Sequence, residues 1–436
     1  MKVLLIYEDF GQGHRRVADI VDDALKAESE IAVVKVTGAE LFEDRTVSLI
    51  TKLSNYLCQR NHLKIVDTFL NTFMKEWVLP IGVALSSKRI FSILKKHSPD
   101  IIISTTDIYS KLLGEYAHRS RIPFFMLFIE GTICRDAISP YAEHVCQTQE
   151  MIPTIRSFDG DDAYLSTPLI DSTLAGQVTF ICSVLKQNCS SSNQGKTHLY
   201  RVVPGATENN DYITRRTRIL IEEKFYKPQD RAAIIEKYNF RTASLKILIM
   251  AGSLGGEFVR QMTARVARSQ VDQDIDIVAL CGTDVSARES LTRLSMLNGR
   301  ATIKICPFNY DCQIEEIMSI TDLAITRPTS GSTLELLFKG IPLLASNQVL
   351  VCDQGYIREM EKLGLAETVG GEFESQLARM LKAVSTYRRA SDRFREENCF
   401  KSYEESKEFV SSLILGKRLK AEGAPPMTWG ARSDPA

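Results

Sequence analysis

The residues able to do chemistry in this chain cluster at turns rich in glycine and hydroxyl groups. In the first half, Gly11-Gln-Gly-His14 follows an apolar run and opens a helical pattern. Glycines there let the backbone approach a ligand, and a helix start favours an anion or developing negative charge. Gly13 would supply that approach. His14, at the mouth of the crevice, would act as a general base near neutral pH or donate a hydrogen bond; the alternative is a helix-start histidine satisfying local backbone groups. The third glycine of a dinucleotide fingerprint is replaced by Arg16, which weakens the case for a dehydrogenase. Glu130-Gly131, with Asp136 soon after, follows a second apolar run. A carboxylate at that edge serves as a base or orients one, or else is an ordinary solvated loop side chain.

The second half carries the sharper pattern. Met250-Ala-Gly-Ser-Leu-Gly-Gly256 lies between a strand and a helix, and Gly252, Ser253 and Gly255 suit a cradle for one nucleotide diphosphate. Thr326-Arg-Pro-Thr-Ser-Gly-Ser-Thr-Leu-Glu335 repeats the arrangement. Ser330, Gly331, Ser332 and Thr333 offer hydroxyls and N–H groups to phosphate oxygens. Glu335, expected in the first helical turn, would accept both hydroxyls of a ribose, unless it merely completes a capping box from Ser332. In Cys352-Asp-Gln-Gly-Tyr356, Asp353 and Gln354 suit sugar hydroxyls, with a plain Asp N-cap as the alternative. Two phosphate-type loops after different strands of one domain favour a nucleotide site.

The elements that must position these turns follow from apolar periodicity. Lys2–Tyr7, Ala32–Val36, Ile101–Ser104 and Phe124–Phe128 read as strands buried on both faces. Helical patterns at Arg15–Ala27, Val47–Phe73, Lys88–Lys96 and Tyr109–His118 separate them. After a polar, irregular stretch from Ala175 to Asn210 the alternation resumes. Strands are expected at Lys246–Ala251, Asp276–Cys281, Thr302–Ile305, Leu323–Thr326 and Pro342–Ala345. Helices fall at Glu257–Arg268, Asp284–Leu297, Ile314–Ile320 and Thr333–Phe338, with a last helical stretch at Glu372–Leu415. Strand–helix alternation implies α/β architecture with doubly wound parallel sheets. The expected domains are 1–222 and 223–415, with a loosely ordered tail at 416–436.

Composition narrows the function classes. Lys+Arg and Asp+Glu both total 54, and this charge balance argues against a nucleic-acid partner. The ten cysteines form no CxxC pair and do not cluster with histidine. The chain opens directly into a strand, without a signal-like segment or a bilayer-length apolar run. A cytoplasmic protein is expected, with no metal. Locally, 49–96 carries Lys52, Arg60, Lys64, Lys75, Lys88, Arg89, Lys95 and Lys96 among apolar residues. That region reads either as a surface docking on anionic membrane or as ordinary helices with solvated lysines.

Taken in order, these segments resemble glycosyltransferase family 28, the MurG and monogalactosyldiacylglycerol synthase group of the GT-B fold. The resemblance rests on Gly11–His14, Pro99–Thr105, Ile249–Gly255, Thr326–Glu335 followed by Gly340-Ile-Pro342, and Asp353-Gln354. It implies two Rossmann-like domains facing a central cleft. It also implies inverting transfer of a hexose or N-acetylhexosamine from a UDP-sugar to a hydroxyl of a lipid or amphipathic acceptor, without a cofactor. By the same resemblance His14 activates the acceptor, Ser253 and Gly255 hold the diphosphate, and Ser332 and Thr333 form the second phosphate loop. Glu335 binds the ribose, Gln354 contacts the sugar, and Phe308 flanks the uracil. The run Ile129–Ile138 departs from the family pattern: Glu130 stands where an aspartate is usual, and Arg135 and Ile138 replace a histidine and a tryptophan. The acceptor is therefore open. Alternatives are a degenerate GT-B nucleotide-sugar-binding protein and a UDP-sugar epimerase on the same fold.

Overall fold

The computed structural model describes residues 1–8, 13–28, 30–42, 53, 56–68, 79–106, 109–133, 137–147, 151–156, 214–252, 255–309, 312–350 and 353–416. The stretch from Ala175 to Asn210, the residues after Gly416, Asp136 and Ser253 lie outside them, as do Gly11 and part of 49–96.

The first sheet holds β1 (Lys2–Tyr7), β2 (Ala32–Thr37), β3 (Ile101–Ser104), β4 (Phe124–Leu127), β5 (Glu143–Cys146) and β6 (Thr214–Arg216), parallel in the order β2-β1-β3-β4-β5-β6. Val3 stands opposite Val33 on one side and Ile101 on the other. Side chains alternate faces along β1. Leu4 and Ile6 enter one core, whereas Val3, Leu5 and Tyr7 enter the other. Helices cover both faces, which is why the strand reads as a continuous apolar run.

The second sheet repeats the plan. It holds β7 (Leu245–Met250), β8 (Ile275–Leu280), β9 (Ile303–Phe308), β10 (Leu323–Thr326), β11 (Leu343–Ala345) and β12 (Ala366–Thr368), parallel in the order β12-β11-β10-β7-β8-β9. Leu248 and Met250 face one core, Ile247 and Ile249 the other. Ile247, Leu248 and Ile249 are fully buried; burying side chains of this size stabilises by roughly 1.5–3 kcal/mol each. Strand order reverses between β1 and β3 and again between β7 and β10. A crevice opens at the carboxyl ends of the strands at each such point.

Three helical expectations change. Within Val47–Phe73 the described residues form helix at 56–59 and at Leu63–Thr68, parted by a turn where Asn61 takes φ 60°. The helix expected from Thr333 begins three residues earlier, at Ser330. The single stretch Glu372–Leu415 is three helices, Phe373–Lys382, Val384–Asn398 and Tyr403–Leu415.

The last of these, placed by sequence in the second domain, packs on the first. Phe400, Tyr403, Phe409, Val410 and Ile414 share a core with Val17, Ile20 and Leu25 of the helix Gly13–Lys26. The Tyr403 hydroxyl donates to Asp23 Oδ2 at 2.9 Å, and the Ser411 hydroxyl to the Ala24 carbonyl at 2.9 Å. The chain thus crosses between domains twice, and the crossings touch. Ile219 bridges to Cys399, and its N–H donates to the Asn398 carbonyl at 2.8 Å.

No helix among the described residues is long and apolar enough to cross a membrane. Cys58, Cys146, Cys281 and Cys399 are buried free thiols. Burial pushes the last three up to about 12, so they remain neutral and unreactive.

Candidate functional site

The second-domain half of the site sits where β7 and β10 run side by side. After β7 the chain turns through Gly252, whose φ of +64° is left-handed and suits glycine. Gly255 is the N-cap of the helix Gly256–Arg268. A Cβ there would fall 2.0 Å from the Ala251 Cβ, so only glycine lets the turn fold back this tightly. After β10, Arg327 is buried and its guanidinium donates to the Ala251 carbonyl at 3.2 Å, tying one loop to the other. Thr329 is the N-cap of the helix Ser330–Phe338. A Cβ on Gly252 would lie 3.8 Å from its hydroxyl.

Within the second loop, the Ser332 and Thr329 hydroxyls are 2.7 Å apart. Thr333 is buried, and its hydroxyl has no hydrogen-bond partner among the described residues. Because the helix starts at Ser330, Glu335 lies in its second turn, not its first. A capping box from Ser332 is therefore excluded, since that motif needs the N-cap and third helical positions.

Glu335 is buried, and its carboxylate is engaged by the Arg16 guanidinium from the first domain. Burial pushes Glu335 up to about 7, with Glu222 adding to the rise and Arg16 pulling against it. Asp353 is the N-cap residue of the helix Gln354–Lys362, yet its side chain makes no capping hydrogen bond. It is buried beside Gln354, which is half-exposed. Phe308 ends β9 and packs edge-on against Tyr238, ring centroids 5.6 Å apart.

The first-domain half sits at the other reversal. Gly13 and His14 start their helix beside the end of β3. His14 Nδ1 lies 2.5 Å from the Thr105 carbonyl, and the Thr105 hydroxyl donates back to the His14 carbonyl at 3.2 Å. A carbonyl only accepts, so Nδ1 carries a proton. Nε2 faces Glu130 Oε1 at 2.9 Å, with the two side chains 14% and 15% exposed. Burial acts to raise the Glu130 pKa. The adjacent His14 and the hydrogen bonds Glu130 accepts outweigh it and hold the carboxyl below its ordinary value. Hence Glu130 is ionised near neutrality, and Nε2 is protonated in this contact. The pair is an imidazolium–carboxylate dyad.

The halves meet closely. A Cβ on Gly331 would lie 3.4 Å from an Arg16 guanidinium nitrogen and 3.8 Å from Gly13 Cα. Two helix starts therefore face one another across the cleft, and both carry positive partial charge. Between them lies a cavity of only about 20 Å³ lined by Gly13, Arg16, Ile129, Glu222, Gly331 and Glu335. That is about the room one water needs, so a ligand entering here must part the two helix starts.

Sequence reasoning brought His14, Glu130 and the two glycine-rich loops to one cleft but did not find Arg16. One signal was present: a cation in the first turn of a helix opposes the helix dipole and needs a reason to be there.

Comparison with known proteins bears on the fold. Residues 246–345 match the family model "Glycosyltransferase family 28 C-terminal domain". The processive diacylglycerol beta-glucosyltransferase of Bacillus subtilis is 22% identical over 351 residues, covering 79% of this chain and 76% of that protein. The enzyme of the same name from Bacillus licheniformis is 23% identical over 351 residues, covering 78% and 76%. The crystal structure of Acinetobacter baumannii MurG superposes with a TM-score of 0.55 at 11% identity, covering 95% of this chain and 99% of that one. The fold is GT-B.

Proposed function

We propose, from a chain whose residues 246–345 match the glycosyltransferase family 28 C-terminal domain, that the protein is an inverting transferase. It moves a hexose or N-acetylhexosamine from a UDP-sugar to a hydroxyl of a lipid or amphipathic acceptor. The observation that carries this is the His14–Glu130 dyad on the same cleft as the facing helix starts at Gly13 and Gly331. One wall offers a base, and the other offers stabilisation for a leaving diphosphate.

In the reaction, the acceptor hydroxyl displaces Glu130 from the line of Nε2; the proton Nε2 held toward Glu130 passes to solvent, and the hydroxyl then gives its own proton to the vacated Nε2. The oxygen attacks the anomeric carbon from the face opposite UDP, and the bond to the diphosphate oxygen breaks. Thr105 fixes the imidazole so that Nε2 is the atom that takes the proton. Glu130, with its depressed pKa, is a poor base near neutrality but a good counter-ion for the imidazolium. The turns at Gly252–Gly255 and Ser330–Thr333, with their helix ends, stabilise the departing charge. The buried Thr333 hydroxyl supplies a donor there. Glu335 takes the ribose hydroxyls once Arg16 gives way.

The acceptor class has two supports. The Bacillus relatives named above are diacylglycerol glucosyltransferases. Moreover Leu53, Tyr56 and Ile65 are 51%, 53% and 56% exposed, and the Arg60 guanidinium lies over the Tyr56 ring, 5.3 Å from its centroid. Apolar side chains beside cations suit docking on an anionic membrane face.

A second reading, a nucleotide-sugar-binding protein without turnover, is favoured by the run Ile129–Ile138, where Arg135 and Ile138 replace the histidine and tryptophan of the family pattern. Release of UDP from a panel of UDP-sugars, with a lipid extract as acceptor, separates the two. Turnover supports the transferase; UDP binding without turnover for any donor leaves the second reading alone.

A further inference from the structure

The segment carrying Glu130 is held from the opposite domain. Tyr356, in the first turn of the helix Gln354–Lys362, is fully buried, and its hydroxyl donates to the Ile129 carbonyl at 2.6 Å. On the other side of Glu130, the Gly355 N–H donates to the Thr132 hydroxyl at 2.9 Å. Between these ties the two backbones touch. A Cβ on Gly355 would fall 1.6 Å from the Gly131 carbonyl oxygen, and one on Gly131 would fall 2.5 Å from the Tyr356 nitrogen. Only a glycine facing a glycine allows this approach.

We infer that Tyr356 is a positioning residue: with the Gly355–Thr132 bond it holds the Ile129–Thr132 backbone so that Glu130 meets His14 only when the cleft is closed at the start of the helix Gln354–Lys362. The same turn holds Asp353 and Gln354, the residues assigned to the donor sugar. The donor half thus assembles the acceptor-activating dyad of the other half, and the base is in place only when the domain bearing the donor has docked. The inference rests on the transferase reading for its catalytic meaning, but the tie itself is measurable without turnover.

The test uses the full chain and three variants. Tyr356→Phe keeps the ring in its slot and removes only the hydroxyl. Thr132→Val removes the second acceptor, and Thr132→Ser restores it. Amide hydrogen exchange across 127–133 is expected to quicken by about 10-fold in Tyr356→Phe and in Thr132→Val, since local opening sets that rate. In the same two variants kcat should fall by about 10-fold, with the donor KM within about twofold of wild type. Thr132→Ser should match wild type in both measurements. Unchanged exchange and kcat in Tyr356→Phe and Thr132→Val, with wild type turning over, overturn the inference and leave the transferase reading standing. Faster exchange, with no turnover by wild type on any donor, upholds the tie and removes the transferase reading.

Discussion

The Arg16 guanidinium of the first domain lies against the buried Glu335 carboxylate of the second, where a nucleotide ribose is expected. This contact has a proton-linked consequence. Glu335 sits at about 7 in the folded protein against an ordinary value of 4.5. Between those values the folded chain holds a proton that the unfolded chain has lost. Stability of the ligand-free protein should therefore fall as pH rises through that window, by at most about 3 kcal/mol from this group. Urea denaturation at pH steps from 5 to 8 reads the slope, which Glu335→Gln should flatten. Arg16→Gln should carry the slope to higher pH, because the cation that favours the ionised form is gone. Identical slopes in wild type and Glu335→Gln would sink this account.

The dyad makes a sharper kinetic prediction. His14→Ala should lower kcat by roughly 100-fold or more, the usual scale for losing a general base. UDP affinity by calorimetry should stay within about twofold. Glu130→Gln should cost less, because the imidazole keeps its Thr105 hydrogen bond. Full activity in His14→Ala would move the base to another residue.

Two glycines of one loop should respond differently. Gly252→Ala meets only ordinary contact, the Thr329 hydroxyl 3.8 Å away, but must take φ +64°. A cost of about 1–2 kcal/mol follows, and Gly252→Asn should recover part of it. Gly255→Ala places a methyl 2.0 Å from the Ala251 Cβ, so the turn must spread. It should lose more stability and weaken UDP binding as well. Thermal melts and calorimetry of the three variants decide the order.

The membrane proposal is open to a direct assay. Flotation with vesicles containing anionic lipid should carry the protein up, less so at high salt. Replacing Leu53, Tyr56 and Ile65 together by Ser should abolish flotation while leaving UDP binding intact. Absence of binding by wild type at any salt removes the proposal.

Strands made mainly of buried apolar side chains were legible from sequence: β1, β3 and β10 fall on the expected residues. β5, β6 and β12 were not, because Glu143–Cys146, Thr214–Arg216 and Ala366–Thr368 are rich in polar residues, the last two at sheet edges. Their strand character comes from pairing with a neighbour, which no local pattern announces. The helix starting at Ser330 was read late because Thr329, not Ser332, caps it. The amphipathic pattern of 403–415 showed that its apolar side is buried, but not against which domain. Likewise the sequence marked Glu130 and Gln354 separately. That Tyr356 links their two turns depends on a domain contact that sequence spacing does not encode.

The double crossing at Ile219 and Cys399 bears on how this molecule is cut and recombined. A fragment ended at Glu222 would leave Val17, Ile20 and Leu25 without Phe409, Val410 and Ile414, and should aggregate. The transplantable unit is the insert between the two crossings, about 223–398, with both flanks left behind in the recipient. Donor halves exchanged on those boundaries keep Phe409, Val410 and Ile414 over the first domain, and the new partner must fit Ile219, Ile221 and Cys399, which enter the core of the insert, as well as the glycine contact at Gly355.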